Sequence, residues 1–147
     1  YPATSPLDEH GITKTDNPLT YIERYEMIRD ALLDFGVKRE EFEIIPFPIS
    51  NPEVLLQYTP ADAVYYMSIC SPWDEEKYQI LQSLDLNVEV LWRRKGEEKG
   101  ITGTELRAMI ARGEDWQQYM PKTAAEYLER NSIDQRIRQL YYTYGGK

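Results

Sequence analysis

Along the chain, apolar residues recur at helical spacing in five stretches and run together in three short ones. Tyr21, Ile22, Tyr25, Ile28, Ala31, Leu32 and Phe35 form a stripe that starts at Thr20, with Glu23 as its capping partner, and ends at Gly36; this predicts an amphipathic helix. Trp73, Tyr78, Ile80, Leu81 and Leu84, with charges between them, predict a second helix begun after Pro72. A third starts at Thr102 and Glu105, carries Met109 and Ile110, and stops at Gly113; Trp116 follows. Pro121 is the expected first residue of a fourth helix with Ala124, Ala125, Tyr127 and Leu128, and Ser132 the expected cap of a last one through Ile133, Ile137, Leu140 and Tyr141. The short runs are Phe42 to Pro46, Ala63 to Met67, and Asn87 to Trp92, where Val88, Val90 and Trp92 alternate against Glu89. Each is too short for a helix and predicts a strand. Pro46 to Pro52 reads as a loop, as does Tyr1 to Asn17 apart from a strand end at its very start.

Strands and helices alternate, so the expected class is α/β with a largely parallel sheet and helices on its faces. Such sheets bind ligands outside the carboxyl ends of their strands. The loop Arg93 to Gly100 leaves the last strand and feeds the Thr102 helix, so Thr104 and Arg107 are expected at that edge. With no internal repeat or linker, residues 1–147 read as a single domain.

Composition narrows the possible partners. A chain that is 41% hydrophobic can bury a real core, but 17 basic against 25 acidic side chains leave a formal charge of -8, an unfavourable background for docking a polyanion; DNA and RNA are discounted. Cys70 is the only cysteine and His10 the only histidine, so a disulfide framework, a cysteine-based zinc site or a histidine-dependent triad within this chain is not expected, and no metal ligand is assigned. No apolar run approaches the roughly 20 residues that cross a bilayer. The expectation is a cytoplasmic protein without membrane contact.

The strongest local chemistry lies in Gly100-Ile101-Thr102-Gly103-Thr104-Glu105-Leu106-Arg107. A capping box between Thr102 and Glu105 satisfies two orphan amides. The remaining first-turn amides, the helix dipole, two hydroxyls and Arg107 one turn in suit a phosphate, and Gly103 lets a ligand come close to the backbone. The plainer alternative is simply a helix start. Arg93, Arg94, Lys95 and Lys99 interrupt the acidic background just before it, as a solvated loop or as an electrostatic collar for a polyphosphate. Trp73 can stack on a flat heterocycle, although a tryptophan there is more often core, as are Trp92 and Trp116. Tyr141, Tyr142 and Tyr144 are expected to pack or to form a subunit contact, which keeps a homo-oligomer among the expectations.

Taken in order, Asn17-Pro18-Leu19-Thr20 with Glu23-Arg24, Ile44-Ile45-Pro46, Gly103-Thr104-Glu105-Leu106-Arg107, and Gly113-Glu114-Asp115-Trp116 before Pro121 resemble the C-terminal two-thirds of archaeal-type nicotinamide-nucleotide adenylyltransferases. These belong to the nucleotidyltransferase superfamily, whose second signature, a serine- or threonine-rich turn ending in arginine, is matched by Thr102 to Arg107. The resemblance implies a Rossmann-like, three-layer nucleotidyltransferase fold that lacks its first strand-helix unit in this chain. It also implies transfer of a nucleotidyl group from ATP, with Mg2+, to a mononucleotide, first of all nicotinamide mononucleotide, giving NAD and pyrophosphate. Alternatives are a non-catalytic nucleotide-binding or regulatory domain of the same fold, and the same chemistry on another phosphate-bearing acceptor. Arg107 is the implied catalytic residue, steadying the departing pyrophosphate. Thr102, Gly103, Thr104 and Lys14 are the implied nucleotide- and phosphate-binding residues, and Ser71 and Trp73 the acceptor-binding ones. Two features depart from the family. Its histidine-x-glycine-histidine signature is absent, His10 standing instead in Glu9-His10-Gly11, and its glycine-asparagine-proline turn is here Cys70-Ser71-Pro72.

Overall fold

The computed structural model describes residues 14–95 and 100–145. In chain order the elements are α1 (Tyr21–Asp34), α2 (Pro52–Leu55), β1 (Val64–Ile69), α3 (Pro72–Ser83), β2 (Asn87–Arg93), α4 (Gly103–Arg112), α5 (Lys122–Arg130) and α6 (Ile133–Leu140), followed by a wider helical turn, Tyr141–Gly145. They gather into two compact units: the described residues up to Ile44 with those from Ile101 onward, and those between Ile45 and Gly100. The readings made for Tyr1 to Thr13, including His10, and for Lys99 lie outside the described residues.

The first unit is helical. At the start of α1 the Thr20 hydroxyl accepts from the Glu23 amide (3.2 Å) and the Glu23 carboxylate from the Thr20 amide (2.9 Å), the reciprocal box the sequence predicts. Its other end is closed by Gly36 at φ +90, a conformation that L side chains rarely adopt, while the Val37 amide reaches back to the Leu32 carbonyl. The buried face differs from the expected one. Met27 is buried, whereas Ile22, Ile28 and Phe35 are exposed. The face that packs carries Glu23, Met27 and Glu26, because Glu23 meets Arg136 of α6 and Glu26 accepts from the Tyr127 hydroxyl of α5. Hydrophobic periodicity assigns two such glutamates to solvent and so mistakes the side. Ile110, Trp116, Ala124, Ala125, Tyr127, Leu128, Ile133 and Ile137 form this core with Met27.

One expected start shifts, and one expected cap lacks its side-chain bond. Pro121 flanks α5 rather than opening it, and its extended ψ of 141 leaves Lys122 as first helical residue. Ser132 precedes α6 as expected but lies at φ 55, with no hydrogen bond from its side chain to the helix, so the tight α5–α6 connection and not capping sets its conformation. The expected strand at Phe42 to Pro46 does not form: Phe42 is extended, but among the described residues the segment joins no ladder. Backbone extension without a hydrogen-bonded partner makes no strand.

In the second unit β1 and β2 pair in parallel, from Val64 opposite Asn87 to Ile69 opposite Arg93, with an irregularity between Met67 and Ser68. The connection between them is α3, as parallel pairing requires. Ser71 caps this helix by accepting from the Asp74 amide, and Pro72 occupies the first turn. Leu55, Leu81 and Leu86 form its buried centre. The mixture of helices with a parallel sheet is the expected α/β class and is compatible with a Rossmann-like architecture.

Candidate functional site

At the start of α4 the local sequence forms the predicted cap. The Thr102 hydroxyl accepts from the Glu105 amide (3.1 Å) and the Glu105 carboxylate from the Thr102 amide (2.8 Å). The amides of Gly103 and Thr104, which the box does not take, remain at the positive end of the helix dipole. Gly113 ends the helix at φ +70.

Arg107 folds back over this first turn, as the tilt of helical side chains toward the N-terminus allows. Its Nη2 donates to Thr104 Oγ1 (3.2 Å) and to Asp16 Oδ1 (3.4 Å). Its Nη1 stands 3.1 Å from where a β-carbon on residue 103 would lie, so the glycine leaves room for the guanidinium against the backbone. Burial pushes the Arg107 pKa below its ordinary value, and the nearby Asp16 carboxylate opposes that shift. A partly dehydrated cation whose carboxylate partner lies at 3.4 Å still gains from a further anion.

These groups line a cleft of about 660 Å3 in the first unit, with Lys14, Thr15 and Asp16 from a turn, Thr104 and Arg107 from α4, and Tyr141 and Tyr144 from the terminal turn. An adjoining cavity of about 230 Å3 reaches from Gly103 and Arg107 toward Asn17 and Arg24, whose Nη2 lies 3.5 Å from Asn17 Oδ1. The Asn17 turn is anchored from α6: Arg136 Nη1 donates to the Pro18 carbonyl (3.1 Å) and to both Glu23 carboxylate oxygens (2.7 and 2.9 Å). Burial would raise the Glu23 pKa, but Arg136 and the Thr20 amide hold it below the ordinary range.

The structure thus gathers Lys14, Thr104 and Arg107 on one cleft, with Gly103 beneath the guanidinium and the Thr102 hydroxyl engaged as a cap. Ser71 and Trp73 belong to the other unit. There Ser71 caps α3, and Trp73 is half-buried with Lys77 Nζ 5.8 Å from its ring centre. Asp74, which the sequence reading did not single out, is buried. Its carboxylate accepts from the Cys70 amide (3.0 Å) and pairs with Lys77 (2.7 Å); these contacts overcome the effect of burial and hold its pKa low. Of the basic loop, Arg93 pairs with Glu75 (2.7 Å) and the Arg94 guanidinium lies over the Trp92 ring at 5.0 Å. Glu75, Arg93 and Arg94 border a second cleft, of about 590 Å3, with Cys70, Ser71 and Pro72. Sequence reasoning also missed Asp16 as the Arg107 partner, 91 residues away, for which no local signal exists. Tyr141 and Tyr144, for which the sequence suggests packing or a subunit contact, line the α4 cleft.

Among the described residues no group of three or more histidine, cysteine, aspartate or glutamate side chains could hold a metal ion, so no residue here is assigned to Mg2+. No helix among them is long and apolar enough to cross a membrane.

The cleft thus combines the Thr104 hydroxyl, the Arg107 guanidinium and Lys14 beside a capped helix start, groups of the kind that pair with anions in general. Comparison with known proteins shows that the chain belongs to the nucleotidyltransferase superfamily of enzymes. It is 39% identical over 130 residues to a phosphonoformate cytidylyltransferase of Streptomyces viridochromogenes, an alignment covering 88% of this chain and 69% of that one. It is 27% identical over 148 residues to the nicotinamide-nucleotide adenylyltransferase of Saccharolobus solfataricus, covering 95% and 78%, and 28% identical over 134 residues to that of Pyrococcus furiosus, covering 84% and 65%. No family model and no solved structure matches the chain.

Proposed function

We propose that the protein containing this chain transfers a nucleotidyl group from a nucleoside triphosphate to a small acceptor bearing a phosphonate or phosphate, releasing pyrophosphate. The observation that carries this reading is the Arg107 guanidinium held over Gly103 and Thr104 in a cleft shared with Lys14. In this reaction an acceptor oxygen bonds to the α-phosphorus while the bond from the α-phosphorus to the bridging oxygen breaks. The protein's part is alignment and charge stabilisation. The Gly103 and Thr104 amides and the Thr104 hydroxyl hold the outer phosphates, Arg107 neutralises the charge that grows on the leaving pyrophosphate, and Lys14 adds a second cation. Mg2+ is proposed as a companion of the triphosphate, neutralising part of its charge when bound.

The preferred donor and acceptor are CTP and a small phosphonate acid. The 39% relative is named for that chemistry, and Cys70-Ser71-Pro72 replaces the turn of the nicotinamide-nucleotide enzymes. Ser71 and Trp73 are the proposed acceptor-side residues. A second reading, ATP with nicotinamide mononucleotide giving NAD, rests on the relatives at 27% and 28% identity. The test is pyrophosphate release by the full-length protein with magnesium, CTP or ATP, and a panel of phosphonates and mononucleotides. Release with one pair supports the reading and selects the substrates. Triphosphate binding with no release on any pair replaces it with the non-catalytic nucleotide-binding alternative.

A further inference from the structure

The cleft at α4 is lined by both cationic and aromatic side chains. After α6 the chain makes the wider turn Tyr141–Gly145, whose Tyr141 and Tyr144 both line the cleft that holds Lys14, Thr104 and Arg107. The Tyr141 ring is braced edge-on by Tyr142, with centres 5.3 Å apart and planes at 87°. Among the described residues no ring covers Tyr144, which is 75% exposed. An exposed tyrosine whose ring borders a cleft presents a flat, weakly polar face to any planar group entering it. The same cleft presents two cations and a helix start to phosphates, and its volume of about 660 Å3 lies in the ordinary range for small-molecule sites.

We infer that the terminal turn is the nucleobase platform of this site: the base of the bound nucleoside triphosphate stacks on Tyr144 and Tyr141 while its phosphates lie on Arg107 and the α4 amides. This rests on the reading of the α4 cleft as the triphosphate site and adds the group that tells a nucleotide from a bare polyphosphate. Stacking on a tyrosine accepts any base, since every base has a π-face. The platform therefore supplies affinity for nucleotides as a class, not a choice between cytosine and adenine.

The experiment is equilibrium binding of CTP, ATP and inorganic tripolyphosphate to the full-length protein and to its Tyr144→Ala, Tyr144→Phe and Arg107→Ala variants. Losing one stacked ring is expected to weaken CTP and ATP by about tenfold, with tripolyphosphate unchanged. Tyr144→Phe should bind like the parent, and Arg107→Ala should weaken all three ligands. The exposure of Tyr144 makes its replacement harmless to folding, which an unchanged Tm verifies. The inference is overturned if tripolyphosphate binds the parent as tightly as the nucleotides, or if Tyr144→Ala leaves nucleotide affinity unchanged. Either result, with tripolyphosphate still dependent on Arg107, leaves the phosphate reading standing. If the parent binds none of the three ligands, both readings fall.

Discussion

Replacing Gly103 by alanine should move stability and ligand binding in opposite directions. Gly103 is the first helical residue of α4 and its backbone needs no positive φ, so alanine fits the chain locally. Alanine also restricts the unfolded chain and favours the helix, which together are worth about 0.5 kcal/mol at a first-turn position. Against this, the new β-carbon would stand 3.1 Å from Arg107 Nη1, tighter than an ordinary contact, so the guanidinium must withdraw by a few tenths of an ångström. Its contacts with Thr104 at 3.2 Å and Asp16 at 3.4 Å are already near the limit for hydrogen bonds and would loosen. Full loss of a charge-assisted bond costs about 2 kcal/mol, the expected effect of Arg107→Ala on triphosphate handling. Displacement alone should cost about 1 kcal/mol, roughly fivefold in affinity. Thermal unfolding with titration of CTP, ATP or tripolyphosphate measures both quantities. A Gly103→Ala protein that keeps its Tm and binds these ligands unchanged would refute the claim that the glycine exists to seat the guanidinium. A fall in Tm of several degrees would refute the claim that only a flexible side chain must yield.

Three further outcomes are expected. The Glu23 carboxyl is held low by Arg136 and the Thr20 amide, so its contribution is present above the unfolded carboxylate value of about 4.3 and is lost as pH falls through the lower folded value. Glu23→Gln should flatten the acid side of the stability profile and cost about 1 kcal/mol at neutral pH, Arg136 being partly exposed; urea unfolding from pH 3 to 7 reads both. Burial, and then the bond to Glu26 at 2.8 Å, push the Tyr127 phenol up to about 12, so its contribution is whole below pH about 10 and declines as pH rises through 12. Tyr127→Phe should remove that alkaline loss at a neutral-pH cost of about 1 kcal/mol, and an unchanged alkaline limb would count against the assignment. At Ser132, where φ is 55, glycine should stabilise the protein by about 0.5 kcal/mol, since a serine β-carbon is strained there; a lower Tm for Ser132→Gly would show that the side chain contributes more than the strain removes.

Features that depend on a few neighbouring residues were legible in the chain itself. The boxes Thr20/Glu23 and Thr102/Glu105, the stops at Gly36 and Gly113, and the β1-α3-β2 crossover all follow from spacing and backbone preference, because caps and ladder crossovers are local or nearly so. The helix start of the candidate site was legible for the same reason. Tertiary structure decided whatever required a distant partner. Met27 rather than Ile22 faces the core of its unit because Glu23 and Glu26 find Arg136 and Tyr127 more than 100 residues away. Phe42 to Pro46 is a strand by composition and stays unpaired among the described residues, since a strand exists only with a partner. Asp16 beside Arg107, and Tyr141 with Tyr144 on the same cleft, come from opposite ends of the described chain. Periodicity records which residues prefer burial, but only packing determines which polar groups meet, and the chemistry of this site depends on those meetings.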